Sequence, residues 1–153
     1  MQYLILIAGL LLADQLSKYL VQTELALYES VPVAENIFHI TYIQNYGAAF
    51  SMLQGKQLFL IMISAAALGG ASVYLWLRRK NAGRLLLTGL ALVISGGVGN
   101  LADRVVRGYV IDFFDFRIWP IFNVADICVC CGCSLIVLYV LFGELRGRRR
   151  KRR

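Results

Sequence analysis

The chain has 153 residues, 59% of them apolar, with a mean hydropathy of +0.65 and a formal net charge of +7. That much hydrocarbon excludes an ordinary soluble domain, and the length excludes two large ones. No Ser- or Pro-rich linker and no internal repeat divides the chain, so residues 1–153 are expected to form one membrane-embedded domain.

Crossing roughly 30 Å of hydrocarbon takes about 20 apolar residues, and four segments are long enough. The first, about Tyr3–Val21, is interrupted by Asp14, Gln15 and Lys18. It has neither a basic leader nor a small-x-small cleavage site, so it reads as a retained helix rather than a cleaved signal peptide. Asp14 and Lys18 are four residues apart and share one helix face near its outer end. The connector after it, residues 22–56, is too long for a plain link. Within it "IFHITYI" alternates and is rich in aromatic and β-branched residues, which predicts a short strand. Gly47 then lets "NYGAAFS" bend back toward the membrane. A small extracytoplasmic β-cradle over the mouth of the helix bundle is expected, with Tyr42, Tyr46 and Phe50 available to cover a bound substrate.

The second span, about Gln57–Leu77, carries no charge. The third, about Leu85–Ala102, leads into "SGGVGNLADR", whose glycines permit close helix contact. Asn100, Asp103, Arg104 and Arg107 follow i, i+3, i+4, i+7 and form a polar stripe at its outer end. "VIDFFDFRIWPIFNVAD" comes next and places Asp112 and Asp115 among Val, Ile and Phe. The fourth span, about Phe122–Phe142, opens with Asn123 and Asp126, an i, i+3 pair suited to capping a helix and to its N-terminal dipole.

Charge orients these spans. "RRKNAGR" between the second and third carries four basic residues and the tail, residues 143–153, carries seven, of 16 in the chain. By the positive-inside rule both stretches are expected in the cytoplasm, with both termini, and residues 22–56 and 103–121 outside. A basic tail beside a span reads as an anchor for anionic lipid rather than as a nucleic-acid arm.

All the polar sets then meet at one depth. Singly they are caps and neutralising pairs; together they describe a site. His39, the one histidine, sits in the expected strand, and neither HExxH nor a histidine cluster occurs, which excludes a zinc hydrolase. Ser17 faces away from Lys18, and Ser51 with Lys56 has no supporting context. Cys128, Cys130, Cys131 and Cys133 fall inside the fourth span with no second pair elsewhere, and are expected as small buried packing residues. Carboxylates remain, with no metal or cofactor expected. Two held close share a proton, so that one activates water while the other donates to a carbonyl oxygen. Asp14 has Lys18 and Asp103 has Arg104 as local cations, whereas Asp112 and Asp126 have none and are flanked by apolar residues. Asp115 stays a candidate, although Arg117 lies nearby.

The order of "DQLSK", "NYGAAFS", "GGVGNLADR", "VIDF" and "FNVAD" resembles lipoprotein signal peptidase (signal peptidase II) along essentially the whole chain. The resemblance implies an all-α integral membrane protein with four transmembrane helices and an outer-face β-cradle. It implies that Asp112, in V-[VI]-D-F, and Asp126, in N-x-A-D, are the catalytic pair. Asp14, Lys18, Asn45, Gly47, Gly96, Asn100, Arg104 and Asn123, joined by Asp103 from the polar stripe, are the implied site-shaping or substrate-contacting residues. It further implies a prolipoprotein substrate cut just before its diacylglyceryl-modified cysteine, in a bacterial cytoplasmic membrane near the outer leaflet. A monomer would suffice. A magnesium-dependent lipid transferase or phosphatase would want three or four acids around its metal, where Lys18 and Arg104 would compete with it. The inverted repeats of a transporter are not visible in four spans, and the motif of a GxGD protease is missing.

Overall fold

The computed structural model describes residues 1–47 and 55–151, and side chains as far as Phe142. Phe50, Ser51, the second half of "NYGAAFS" and the side chains of the basic tail lie outside the described residues. Seven elements follow in order: α1 (Gln2–Glu24), β1 (Ser30–Ala34), β2 (Phe38–Asn45), α2 (Gln57–Arg78), α3 (Arg84–Val106), β3 (Val110–Asp115) and α4 (Val124–Lys151). All four helices are long and apolar enough to cross a membrane. A helix of 22 or 23 residues is about 33 Å long, which matches the hydrocarbon thickness.

The burial pattern is that of a bundle whose solvent is lipid. In α3 50% of the span window is buried, against 17% in each of the others, so α3 is the central helix. The other three pack on it, and α1 and α2 scarcely touch each other. Leu75 of α2 with Leu86, Leu87, Leu90 and Ile94 of α3 form the core at one end. Small residues set the spacing between α3 and α4: a Cβ on Gly89 would come within 2.9 Å of the Gly132 carbonyl oxygen. The helices turn large apolar side chains such as Leu12, Leu58 and Leu77 outward, as membrane helices without a water-facing surface do.

The sheet is antiparallel in the order β1-β2-β3. Only its middle strand was legible as a strand in the sequence. β3 is "VIDFFD", and its register sets Asp112 opposite Ile43 and Val110 opposite Asn45. Val21 at the end of α1 packs with Tyr42, Ile111 and Phe113 and fastens the sheet to the bundle. Tyr42 is therefore a core residue at 5% exposure, not a cover for a ligand; of the expected cover residues that are described, Tyr46 is the exposed one, beside Tyr109.

The expected spans differ from the observed helices at their ends for local reasons. α4 starts at Val124 rather than Phe122 because Phe122 pairs with Phe114 across an isolated bridge and Asn123 caps the helix. α3 runs on to Val106, since Asp103 and Arg107 bond to each other one turn apart. The expectation for the cysteines was wrong: Cys128 is buried, but Cys130, Cys131 and Cys133 are exposed, all four as free thiols. On a lipid-solvated helix an apolar residue gains nothing from facing inward.

Candidate active site

The polar groups of the site converge from α3, α4 and the strands β2 and β3. Asn123 and Asp126 form a reciprocal capping box at the start of α4. The Asp126 amide donates to Asn123 Oδ1 at 2.9 Å, and the Asn123 amide donates to Asp126 Oδ2 at 3.1 Å. The Asn123 side chain then reaches across to β3, where Nδ2 donates to Asp112 Oδ1 at 2.7 Å. On the other side Asn45, the last residue of β2, donates to Asp112 Oδ2 at 2.9 Å. Asn100 of α3 donates to Asp126 Oδ1 at 2.8 Å. Three asparagine amides thus hold two aspartates, and both aspartates line a cavity of about 490 Å³ together with Asn45, Asn100 and Arg104.

Behind this set lies a buried ion cluster. Lys18 Nζ is 2.9 Å from Asp14 Oδ2 and 2.8 Å from Asp103 Oδ2, and Arg107 pairs with Asp103 from the other side. Lys18 and Asp103 are fully buried and Asp14 nearly so, which is tolerable only because each charge has a partner. Two links tie the cluster to the aspartates. Lys18 donates to Asn100 Oδ1 at 2.9 Å, which leaves the Asn100 NH2 to face Asp126. Asp14 Oδ1 accepts the Ala125 amide at 2.9 Å and so steadies the first turn of α4.

Gly96 acts through close contact, and Gly47, at a bend after β2, through its backbone hydrogen bonds. A Cβ on Gly96 would lie 2.2 Å from the Ala125 carbonyl oxygen, so glycine lets α3 and α4 meet beside Asp126. The Gly47 amide donates to Asn45 Oδ1 and its carbonyl accepts from Arg104, both near 3 Å. Arg104 also donates to the Asn100 carbonyl oxygen, while its buried Nε has no hydrogen-bond partner among the described residues.

Electrostatics separate the two acids of β3. Burial, reinforced by the charge of Asp126, pushes the Asp112 carboxyl up to about 7 despite the bonds from Asn45 and Asn123. For Asp115 burial also acts upward, but the Arg117 backbone amide, the Thr41 hydroxyl and the Arg117 guanidinium outweigh it and hold the carboxyl below the usual range. Asp115 is bonded to Thr41 and Arg117 at the far end of the strand and takes no part in lining the cavity.

The residues that the resemblance implied as catalytic or site-shaping therefore fall in one connected region, Gly96 as a packing contact and Gly47 through its backbone hydrogen bonds. Sequence reasoning missed the cavity rim of Trp119, Pro120 and Ile121 and the inner wall with Cys130 and Cys131. It also missed Gln15, whose amide bonds Asp14, Asp103 and the Gly99 carbonyl oxygen. The exposed "RIWP" between strand and helix was the available signal for the rim.

Comparison with known proteins decides the family. The profile described as "Signal peptidase (SPase) II" matches residues 6–142. The chain belongs to the signal peptidase II family. This signal peptidase II chain is 41% identical over 147 residues to the lipoprotein signal peptidase of Halothermothrix orenii, covering 96% of this chain and 99% of that one. It is 43% identical over 151 residues to the lipoprotein signal peptidase of Clostridioides difficile, covering 97% and 100% respectively. A bacterial membrane enzyme structure determined by the in meso method at 2.3 Å superposes with a TM-score of 0.88 at 30% identity, covering 94% of this chain and 89% of that one. The function is accordingly that of a lipoprotein signal peptidase, on a multi-pass membrane chain.

Proposed function

We propose that this signal peptidase II is an aspartic endopeptidase that cuts prolipoproteins just before the diacylglyceryl-modified cysteine, with Asp112 and Asp126 as the catalytic pair. The observation that carries the reading is their common cavity, with both Asp112 oxygens and one Asp126 oxygen held by asparagine side-chain amides from neighbouring elements. An acid raised to about 7 beside a second acid is a pair that shares one proton at neutral pH. The ionised member takes a proton from water as the water attacks the scissile carbonyl carbon. The protonated member donates to the carbonyl oxygen. When the tetrahedral diol collapses, the C–N bond breaks and a proton passes to the leaving amine.

The remaining groups bind and orient. Arg104 Nε, buried at the cavity without a partner among the described residues, is placed to donate to a substrate backbone or ester oxygen. Ile127 and Val129 of α4, with Phe122 at the rim, offer the acyl chains an apolar wall continuous with the polar end. The aspartates would then lie at the depth of the scissile bond, near the outer leaflet of the cytoplasmic membrane, with both termini and the basic tail in the cytoplasm. Residues 1–153 act as one domain; anionic lipid is the expected partner of the tail, and the unit is a monomer that uses neither metal, cofactor nor nucleic acid.

The test is cleavage of a lipidated and an unlipidated precursor by the purified protein and its Asp→Asn variants. Asp112→Asn and Asp126→Asn keep side-chain size but remove the base, so each should lose more than the roughly 10²–10⁴-fold typical of one general base. The double variant should be little worse than either single one. Asp115→Asn should stay active, because its partners are Thr41 and Arg117. Turnover by Asp112→Asn with a dead Asp115→Asn would reassign the pair, and equal cleavage of both precursors would remove the lipid requirement.

A further inference from the structure

A second cavity lies at the opposite end of the bundle from the aspartates. α1 and α2 flank α3 and scarcely meet, and the gap between their ends encloses about 940 Å³. That lies within the roughly 300–1,000 Å³ of ligand sites. Its walls are Leu4 and Ile7 of α1 and Leu75 and Trp76 of α2, and its floor is Ile94 of α3. Its mouth carries Arg79 and Lys80, just past the end of α2. The Arg79 guanidinium carbon lies over the Trp76 ring, 3.5 Å from its centre, and one Nη donates to the Trp76 carbonyl oxygen. The aromatic face and the carbonyl hold the cation in place at the mouth, and its other N–H groups bond nothing else among the described residues.

Charge gives the occupant. No acid occurs in residues 1–13 or 55–102, the stretches that build this cavity, so neither basic side chain at the mouth has a carboxylate of the crevice to pair with. An apolar slot, open to lipid along a helix–helix gap and closed at the interface by two cations, matches an amphiphile with one anionic head and an acyl chain. We propose that this crevice binds an anionic phospholipid of the adjacent leaflet. Its phosphate would lie on Arg79 and Lys80 and one acyl chain between α1 and α2, against Leu75 and Ile94. The lipid would fill the gap left between two helices that do not pack on each other. None of the described residues that line the crevice belongs to α4, and the proposal stands whether or not the catalytic reading holds.

Fluorescence quenching by brominated lipid tests it, because Trp76 forms part of the wall and the chain has only one other tryptophan. In the full-length Trp119→Phe protein in phosphatidylcholine bilayers, trace phosphatidylglycerol brominated on its acyl chain should quench Trp76 well above the level of brominated phosphatidylcholine. Two basic contacts predict a preference of about 30-fold. Arg79→Gln with Lys80→Gln should bring the two lipids to equal quenching. Ser72→Phe, on the exposed side of the crevice, keeps every charge but fills the slot and should lower quenching by both. Neutralising Arg148, Arg149 and Arg150 in the tail should leave the preference intact. Equal quenching by both lipids in the parent protein would overturn the proposal. So would a preference that survives Arg79→Gln with Lys80→Gln but disappears with the tail charges. Displacement of the brominated phosphatidylglycerol by millimolar inorganic phosphate would make the site one for the free anion and overturn the lipid as occupant.

Discussion

Replacing Lys18 by methionine is the sharpest probe of how the buried cluster supports the aspartates. Methionine keeps the length of the chain and removes the charge. Lys18 Nζ is the only cation within salt-bridge distance of Asp14 among the described residues, at 2.9 Å, whereas Asp103 keeps Arg107. Asp14, 1% exposed, would become an uncompensated buried carboxylate. Breaking a buried pair in this way costs roughly 3–5 kcal/mol. Catalysis should fall as well. Asn100 Oδ1 loses its charged donor, leaving only Asn123 Nδ2 at 3.2 Å to hold the amide that donates to Asp126. A loss of about 1.4 kcal/mol in positioning would lower kcat about tenfold. Both readouts are accessible: unfolding of the micellar protein against added denaturing detergent, followed by circular dichroism, and turnover of a lipidated precursor. Lys18→Met with Asp14→Asn removes the stranded charge and should recover at least half of the lost stability, a non-additive outcome expected of groups in one network. If Lys18→Met lies within about 1 kcal/mol of the parent, the range of an exposed ion pair, the cluster does not carry the weight assigned to it. Strict additivity in the double variant would refute the coupling.

Three further outcomes follow from the same geometry. With the shared proton on the dyad and Asp112 raised to about 7, kcat/KM should fall above about pH 7 as the pair loses it, a limb that belongs to the pair rather than to one residue. Asn45→Ala removes a bond that stabilises the charged form and should move that limb to higher pH; movement to lower pH would contradict the assignment. Gly96→Ala sets a methyl group against the Ala125 carbonyl oxygen and should cost about 1–3 kcal/mol of stability together with activity. Gly70→Ala, with open space around it, should be neutral in both measurements, and equal effects of the two would sink the contact argument. Reporter tags at residue 1, near Asn81 and at residue 153 should all read as cytoplasmic and one near Glu29 as external, and a cytoplasmic signal near Glu29 would invert the proposed orientation.

Much of this protein is local and therefore legible in one dimension. Span length follows from hydrocarbon thickness, and basic loops mark a side of the membrane, because both depend on composition over short windows. The Asn123–Asp126 capping box is likewise a spacing of three, readable before any fold is known. Tertiary structure decided the rest. Whether Asp112 or Asp115 enters the cavity depends on the register of β3 against β2, which sets Asp112 opposite Ile43 and Asp115 opposite His39, and on the bulge between Ile40 and Ile43. Sequence spacing pairs Lys18 with Asp14 alone, yet it also binds Asp103 and Asn100 from a helix more than 80 residues away. Tyr42 was misjudged because its alternation along β2 does not say which face meets α1. The cysteines were misjudged for a related reason: lipid is as apolar as a helix interface, so hydrophobicity alone does not tell the inner face of α4 from its outer one.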